Sequence, residues 1–482
     1  MINESDGLRM KNAVIQKYGN EKKAIVAVIG VGAYGKAIVT QSALIPEIYL
    51  AVTADLTQEK AKAALTEAGI AESDLVFCST AEEAEKAVQE GKHVYTDNAD
   101  MVAHIPSVNM ICESTGNPEI CARHALDAID KGKHVAMVTK DCDAAIGPIL
   151  KKKADEKGVV YTPVDGDQHG LLIQMYDWAK TIGLTVICGG KATDGEFIFD
   201  RTEKTVTIQT DKKVTAPFQK SVSISDEDLE YFDMIPEGNA AEYIRKRTEA
   251  LSLLPPPGSY DLCEMTIAAN YTDMRPQTET MIHAPLRITE IPIAYARKEN
   301  GGVIDDNETI DLVTCMRAPE ESGLGGGVFL VVECDNAYSN HVLATKGQIA
   351  NHDCTATVIY RPYHLCGVET PYTILTACML GINTGSENYL PRYDLTRVAA
   401  RDIKAGEVFG NDHSLMMTSR ITKTAALKPG NLIEGHLLTG NKAVTDIPKG
   451  TPITVDMVEE PEDSLLWKLR REQDRHFLEN VK

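Results

Sequence analysis

The run from Ala24 to Gly35, AIVAVIGVGAYG, constrains this chain more than any other segment. Six mostly β-branched, apolar residues lead into Gly30, Gly32 and Gly35, spaced G-x-G-x-x-G, and helix formers follow. A strand of a parallel sheet that must turn sharply, pass close to a pyrophosphate and enter a helix packed on that sheet needs glycine at these three places. The helix N-terminus then supplies free N–H groups and partial positive charge for the phosphate. The loop residues Ala33 and Tyr34 belong to the same cradle. A second strand-like run, Ile48 to Ala54, ends in Asp55, twenty residues past Gly35. That is the offset at which a carboxylate meets the adenosine ribose hydroxyls, and it favours NAD(H) over NADP(H). No arginine follows Asp55 to receive a 2′-phosphate.

With 482 residues the chain is too long for one core, so two or three domains are expected. Its formal charge of −21 argues against nucleic acid and anionic membrane as partners. No leader-like start and no apolar run of spanning length is seen, which predicts a cytoplasmic location. The eleven cysteines are scattered singly without a C-x-x-C pair, so they read as small buried residues and no zinc site is assigned.

The first twenty residues read as a polar helix or arm. From Ala24 to Gly166 strand-like and helical stretches alternate, as in βαβ units. Further strands are expected at Leu75–Cys78, Asn109–Glu113, His134–Thr139 and Val159–Val164, with helices at Pro118–Lys131 and Ala144–Lys157. Residues 1–166 thus form an arm and a Rossmann unit, an α/β parallel sheet. Its loop Ser114, Thr115, Gly116 and Asn117 before Pro118 has helix-start chemistry at a strand end, where such sheets bind ligands. Residues 167–392 read as an α+β substrate and assembly domain, interrupted by Pro255–Gly258 and Gly323–Gly327, with the substrate cleft between it and the Rossmann unit. Residues 393–482 read as a small β-rich module with a docked C-terminal helix. Within it, Val398–Phe409 and Ala443–Thr454 share the form apolar–Asp–Ile–x–x–Gly–x–apolar, a weak internal repeat.

Redox chemistry at a carbonyl needs a group to move a proton and to stabilise charge on oxygen. Lys191, closing a strand after Gly189 and Gly190, is the leading candidate, its pKa expected to fall through partial burial. Lys140, at another strand end, is the second. Asp165, Asp167, Gln168 and His169 crowd one strand–helix junction, where two carboxylates suit Mg²⁺ or Mn²⁺, substrate hydroxyls or a helix cap. His283, before a proline, reads as structural, and Glu264 and Asn270 rank lower as cleft residues.

Several of these segments resemble a known group. The glycine loop, Gly166-Asp167-Gln168, Gly189-Gly190-Lys191 and the YRPYHLCGVE segment from Tyr360 to Glu369 are similar to homoserine-dehydrogenase-type oxidoreductases. The segment Arg401 to Glu407 resembles an SAF (antifreeze-like) domain. That pairing is found in the bacterial deoxyxylulose-phosphate reductoisomerase-like family, with relatives in sugar-acid catabolism that include apionate oxidoisomerases. The resemblance implies NAD(P)-dependent reduction, dehydrogenation or reductoisomerisation of a small hydroxylated carbonyl compound or sugar acid, phosphorylated or not. It makes Arg361, Tyr363, His364 and Glu369 a binding set for an anionic group and sugar hydroxyls; a homo-oligomer is the expected assembly. Lys140 occupies the spot of the lysine in the homoserine dehydrogenase Asn-Lys pair, but Thr139 precedes it. A homoserine-type dehydrogenase and a non-catalytic nucleotide-sensing or carbohydrate-binding protein are the alternatives.

Overall fold

A computed structural model describes residues 23–479; the polar arm expected over the first twenty residues lies outside them. Strand β1 (Ala24–Ile29) is buried at five of its six positions, as expected of a strand covered on both faces. It centres a seven-stranded, all-parallel sheet with β2 (Ile48–Ala54), β3 (Leu75–Phe77), β4 (His93–Thr96), β5 (Met110–Glu113), β6 (His134–Met137) and β7 (Tyr161–Pro163), in the order β3-β4-β2-β1-β5-β6-β7. The order reverses between β1 and β5, so the connections after these strands leave in opposite directions and open a crevice at their C-terminal ends. Helices α1 (Ala33–Ser42), α2 (Gln58–Glu67), α3 (Ala81–Gln89), α4 (Pro118–Asp130) and α5 (Lys140–Lys157) make the crossovers. The four-residue β4 went unread because it is too short to show a period. Helix α5 starts a turn earlier than expected, so Lys140 opens a helix instead of closing a strand. Asp141 and Asp143 in its first turn, favoured by the helix dipole, explain the earlier start.

Helix α6 (Gln168–Thr181) leads into the second sheet. Its strands are β8 (Thr185–Ala192), β9 (Glu196–Asp200), β10 (Thr205–Gln209), β11 (Ser221–Ser223), β12 (Arg275–Pro276), β13 (Ala284–Leu286), β14 (Thr309–Arg317), β15 (Val328–Glu333), β16 (Ile349–Ala350) and β17 (Thr357–Arg361). The main path is β11-β10-β9-β14-β8-β15-β17-β16, with β12 and β13 also pairing β14; β8 runs parallel to β14 and antiparallel to β15. Helix α7 (Ser259–Thr272) is buried without a break from Asp261 to Thr272, because β-structure and helices surround it on every side. Asn270 fastens it to the C-terminal module, its Oδ1 accepting from the Arg392 and Tyr393 amides at 2.9 Å and its amide donating to the Tyr393 carbonyl at 2.9 Å.

The C-terminal module pairs β18 (Tyr393–Ala399) antiparallel to β19 (Met417–Lys423). Its two repeated segments meet face to face. Ile403 and Ile447 exchange backbone hydrogen bonds of 2.9 and 2.8 Å, Asp446 accepts from the Ala405 amide at 2.9 Å, and Asp402 accepts from the Lys449 amide at 2.8 Å. The closing helix α8 (Leu465–Asp474) docks on the Rossmann unit: Glu119 accepts from the Ser464 hydroxyl at 2.5 Å and the Leu465 amide at 2.7 Å, and Gln473 accepts from the Ile149 amide at 3.1 Å. Among the described residues no helix is long and apolar enough to cross a membrane.

His283 packs beside β14, its Nε2 at 2.7 Å from the Thr314 hydroxyl. Burial pushes its pKa down to about 4, so the folded chain keeps it neutral while the unfolded chain protonates near 6.5. It therefore costs stability as pH falls from about 6.5 towards 4. The stability of the wild type relative to His283→Gln should fall by about 3 kcal/mol between pH 7 and pH 4, measured by urea denaturation. A gap independent of pH would show that His283 charges freely in the folded chain.

Candidate functional site

The crevice at the β1/β5 switch opens into a cleft of about 430 Å³. Tyr34, Ser114, Gly116, Thr139 and Lys140 line it from the Rossmann unit, and Asp167, Gln168, Asp194, Lys212, Tyr260, Glu264 and His364 from the second part. The C-terminal module adds Asn411, Asp412 and His413, a third wall that sequence reasoning missed. The one signal was the polar run GNDHS from Gly410 to Ser414, which carries no spacing that ties it to a ligand.

The glycine loop is held tightly from below and left open above. Gly30, at φ +84°, would place a Cβ 2.4 Å from the Ser114 carbonyl, and a Cβ on Gly35 would lie 2.0 Å from the Gly30 carbonyl. A Cβ on Gly32 would meet nothing within 4 Å, which is the space a pyrophosphate needs. Ala33 opens α1 with Gly32 at its cap. Asp55 Oδ2 accepts from the Val31 amide at 2.9 Å and Oδ1 from the Leu56 amide at 2.8 Å, so its carboxylate is fixed at the end of β2. Glu113, which sequence reasoning passed over, is fully buried and organises the facing loops. It accepts from the Thr115 hydroxyl at 2.6 Å and the Thr139 hydroxyl at 2.5 Å, and the Gly116 amide donates to Thr139 at 3.1 Å.

Beside this loop lies a chain of opposite charges. Lys140 Nζ pairs with Glu264 and lies 3.4 Å from Asp167 Oδ1; Glu264 turns its other oxygen to Lys191, whose Nζ also lies 2.8 Å from Asp261. Asp261 and Glu264 stand three residues apart on α7, which puts both on one face. Lys140 is about a quarter exposed (28%), and Lys191 is fully buried (0%) below the cleft floor. Burial pushes the Lys140 ammonium down, but Asp167 and Glu264 push it further up, to well above the ordinary lysine range. Lys191 is likewise raised, since Asp261 and Glu264 outweigh its burial; the lowered pKa expected of it is corrected. Against its burial, Lys140 and His169 hold Asp167 well below the usual carboxylate range.

The remaining expected residues divide. Asp167 caps α6 by accepting from the Gln168 amide at 2.9 Å, and its Oδ2 is buried with no hydrogen-bond partner. Gln168 lines the cleft and donates to the Ala192 carbonyl at 3.3 Å. His364 joins them, with Nδ1 2.7 Å from the Gly326 carbonyl, and Gly326 leaves that room: a Cβ there would lie 2.7 Å from the ring. Arg361, Tyr363 and Glu369 do not line the cleft. Arg361 pairs with Glu369 at 2.6 Å and stacks over the Tyr363 ring at 4.8 Å, so its charge is satisfied within the loop. The Asp165–Asp167 pair does not fit Mg²⁺ or Mn²⁺. Asp165 spends its oxygens on Thr373, Gln174 and, at 2.9 Å, Thr384, while Asp167 serves Lys140. Glu264 lines the cleft and Asn270 does not.

Residues 256–370 match the family model described as oxidoreductase DRL, catalytic domain. The matched stretch carries Asp261, Glu264 and His364 of the cleft region. Over that stretch the chain is similar to an oxidoreductase catalytic domain, and the parallel sheet with its glycine loop is of the Rossmann type. No curated protein matches the sequence. Among solved structures, the putative oxidoreductase yvaA from Bacillus subtilis aligns with 75% of this chain and 90% of its own, at 11% identity and a TM-score of 0.35. GenD2 from gentamicin A biosynthesis, in complex with NAD, aligns with 36% of this chain and 45% of its own, at 19% identity and a TM-score of 0.25. The 1-deoxy-D-xylulose 5-phosphate reductoisomerase from Zymomonas mobilis, in complex with NADPH, aligns with 36% and 46%, at 14% identity and a TM-score of 0.27. The chain thus spans under half the length of these last two structures. At these TM-scores the alignments add nothing to what the residues say about the reaction.

Gly32→Ala should leave thermal unfolding unchanged while weakening dinucleotide binding at least about tenfold, since the methyl group enters only the phosphate space. Gly35→Val should instead fail to fold stably. Fluorescence titration with both cofactors, alongside calorimetry, separates the two outcomes; unaltered binding in Gly32→Ala would remove this loop from the site.

Proposed function

We propose that the chain is an NAD(P)-dependent oxidoreductase, of reductase or reductoisomerase type, acting on a small hydroxylated carbonyl compound or sugar acid. One observation carries this reading: Tyr34 of the glycine loop, Ser114 and Gly116 of the loop that faces it, and Lys140 line the same cleft. A nicotinamide dinucleotide held by the glycine loop would supply or accept the hydride. Lys140, held charged by its two carboxylates, donates a hydrogen bond or proton to the substrate oxygen as negative charge develops on it. Glu264 and Asp167 fix the position of that ammonium. Lys191 acts through Glu264 as a positioning residue, in place of the proton donor expected from its strand-end location. His364, with Nδ1 anchored, and Gln168 are the groups for substrate hydroxyls, with Asp167 beside them.

The lining favours an unphosphorylated substrate. Asp141, Asp167, Asp194, Glu264 and Asp412 line the cleft against Lys140 and Lys212, with Lys191 behind Glu264 and Arg397 behind Asp412, so a phosphate would meet an excess of like charge. Asp55, with its carboxylate set at the end of β2, supports NAD(H) as the preferred cofactor. The SAF-like reading of the C-terminal module rests on its paired Asp–Ile segments. Thr139 before Lys140 argues against the homoserine-type alternative. Exposed Tyr363, Leu365, Val368 and Tyr372 near the cleft support a homo-oligomer.

A panel of aldoses, ketoses, sugar acids and their phosphates, with NADH or NADPH and the oxidised forms, tests the reading by dinucleotide absorbance; no turnover with bound cofactor would favour a sensor. Lys140→Met should lower kcat by about two to four powers of ten with cofactor binding intact. Lys191→Met should chiefly lower the unfolding temperature, because it leaves Asp261 and Glu264 buried with one cation fewer. Near-normal turnover in Lys140→Met would move the proton to another group. Asp55→Ser should cost NADH binding about tenfold and improve NADPH binding, read by titration.

A further inference from the structure

We propose that Asp141, Cys263, Asp412 and His436 form a binding site for one divalent cation of the zinc class, in the wall of the cleft. The four come from separate places: Asp141 from the first turn of α5, Cys263 from the second turn of α7, Asp412 from a loop and His436 from a 3-10 turn of the C-terminal module. Their ligand atoms all lie within 4.8 Å of one another. His436 Nε2 lies 3.3 Å from Asp412 Oδ2 and 3.9 Å from Asp141 Oδ1. Bonds of about 2.0–2.3 Å in a tetrahedral zinc site give ligand–ligand edges of about 3.3–3.8 Å, so little movement closes the set around an ion.

The surroundings point the same way. Glu434, fully buried, takes His436 Nδ1 at 2.6 Å, which fixes the ring and leaves Nε2 turned to the cluster, as a carboxylate does behind a metal-bound imidazole. Asp412 rests one oxygen on Arg397 and turns the other inward. Three carboxylates, Asp141, Asp412 and Glu434, converge there on one guanidinium and one imidazole, in a cleft already rich in acids. A thiol and an imidazole beside two carboxylates select zinc or cobalt over magnesium, which takes oxygen ligands. Four protein ligands close the coordination, so the ion would join the three parts of the chain one residue from Lys140. The scattered cysteines concealed this site, because its ligands share no local spacing.

Metal content is measured without turnover, so this inference stands or falls independently of the redox reading. The full chain, incubated with Zn²⁺ and dialysed, should retain one equivalent by elemental mass spectrometry. Cys263→Ser and His436→Gln should retain less than a tenth of that. The Co²⁺-loaded wild type should show thiolate-to-cobalt charge-transfer absorption that Cys263→Ser lacks. Asp141→Asn, at the cleft surface, guards against misfolding of the buried variants and should weaken zinc binding at least about tenfold. Folded wild type that retains no stoichiometric zinc, or binding unchanged in Asp141→Asn or Cys263→Ser, would overturn the site.

Discussion

Glu264 offers one oxygen to each of two lysines, and the arrangement of the cleft depends on that bridge. Lys191 is carried by the middle of the second sheet, Lys140 by the first residue of a Rossmann helix, and Glu264 by the helix buried between them. An ammonium at a helix N-terminus works against the helix dipole, so Lys140 keeps its place only because Glu264 and Asp167 outweigh that cost. The buried pair below sets the height of Glu264. Two sheets that share no strand are thereby brought into register at the cleft.

The Rossmann half was legible because its constraints are local. Glycines that admit no Cβ, an acid at a fixed offset and strands buried on both faces all leave marks within a few residues. Asn117 and Pro118 marked a helix start that the Asn117 cap, accepting from the Ile120 amide at 3.0 Å, makes good. The chemistry around Lys140 was only half legible. Both lysines and Asp167 stood out by position, yet which lysine faces the cleft is decided by burial, and burial of Lys191 follows from Asp261 and Glu264 some seventy residues away. Arg361 shows the converse. Its neighbours Tyr363 and Glu369 made it look ready for an anion, and the same closeness lets them satisfy it within the loop. Asn411 to His413 could not be singled out, because a loop polar for solubility and one polar for a ligand look alike in a single sequence.

Glu113 illustrates how the Rossmann loops are kept in place without any contact to solvent. A buried carboxylate needs donors on each oxygen. Here those donors are Thr115 and Thr139, from the loops after two adjacent strands, with His124 Nδ1 a further 3.4 Å away. The loop that carries the expected cofactor contacts and the loop that carries Lys140 are therefore tied to one side chain. Movement of either loop alone would leave charge unpaired in the interior.

The reciprocal contacts between Asp402–Ala405 and Asp446–Lys449 give the C-terminal module the logic of a symmetric dimer enclosed in one chain. Each half completes the hydrogen bonds of the other through the same positions, as the two faces of an isologous interface do. Neither half is a folding unit by itself, since its strand edge is paired only when its counterpart, forty-four residues away, is present. The loop bearing Asp412 and the turn bearing His436 lie in the interval between the two halves, so closure of this internal dyad is also what brings them together at the cleft.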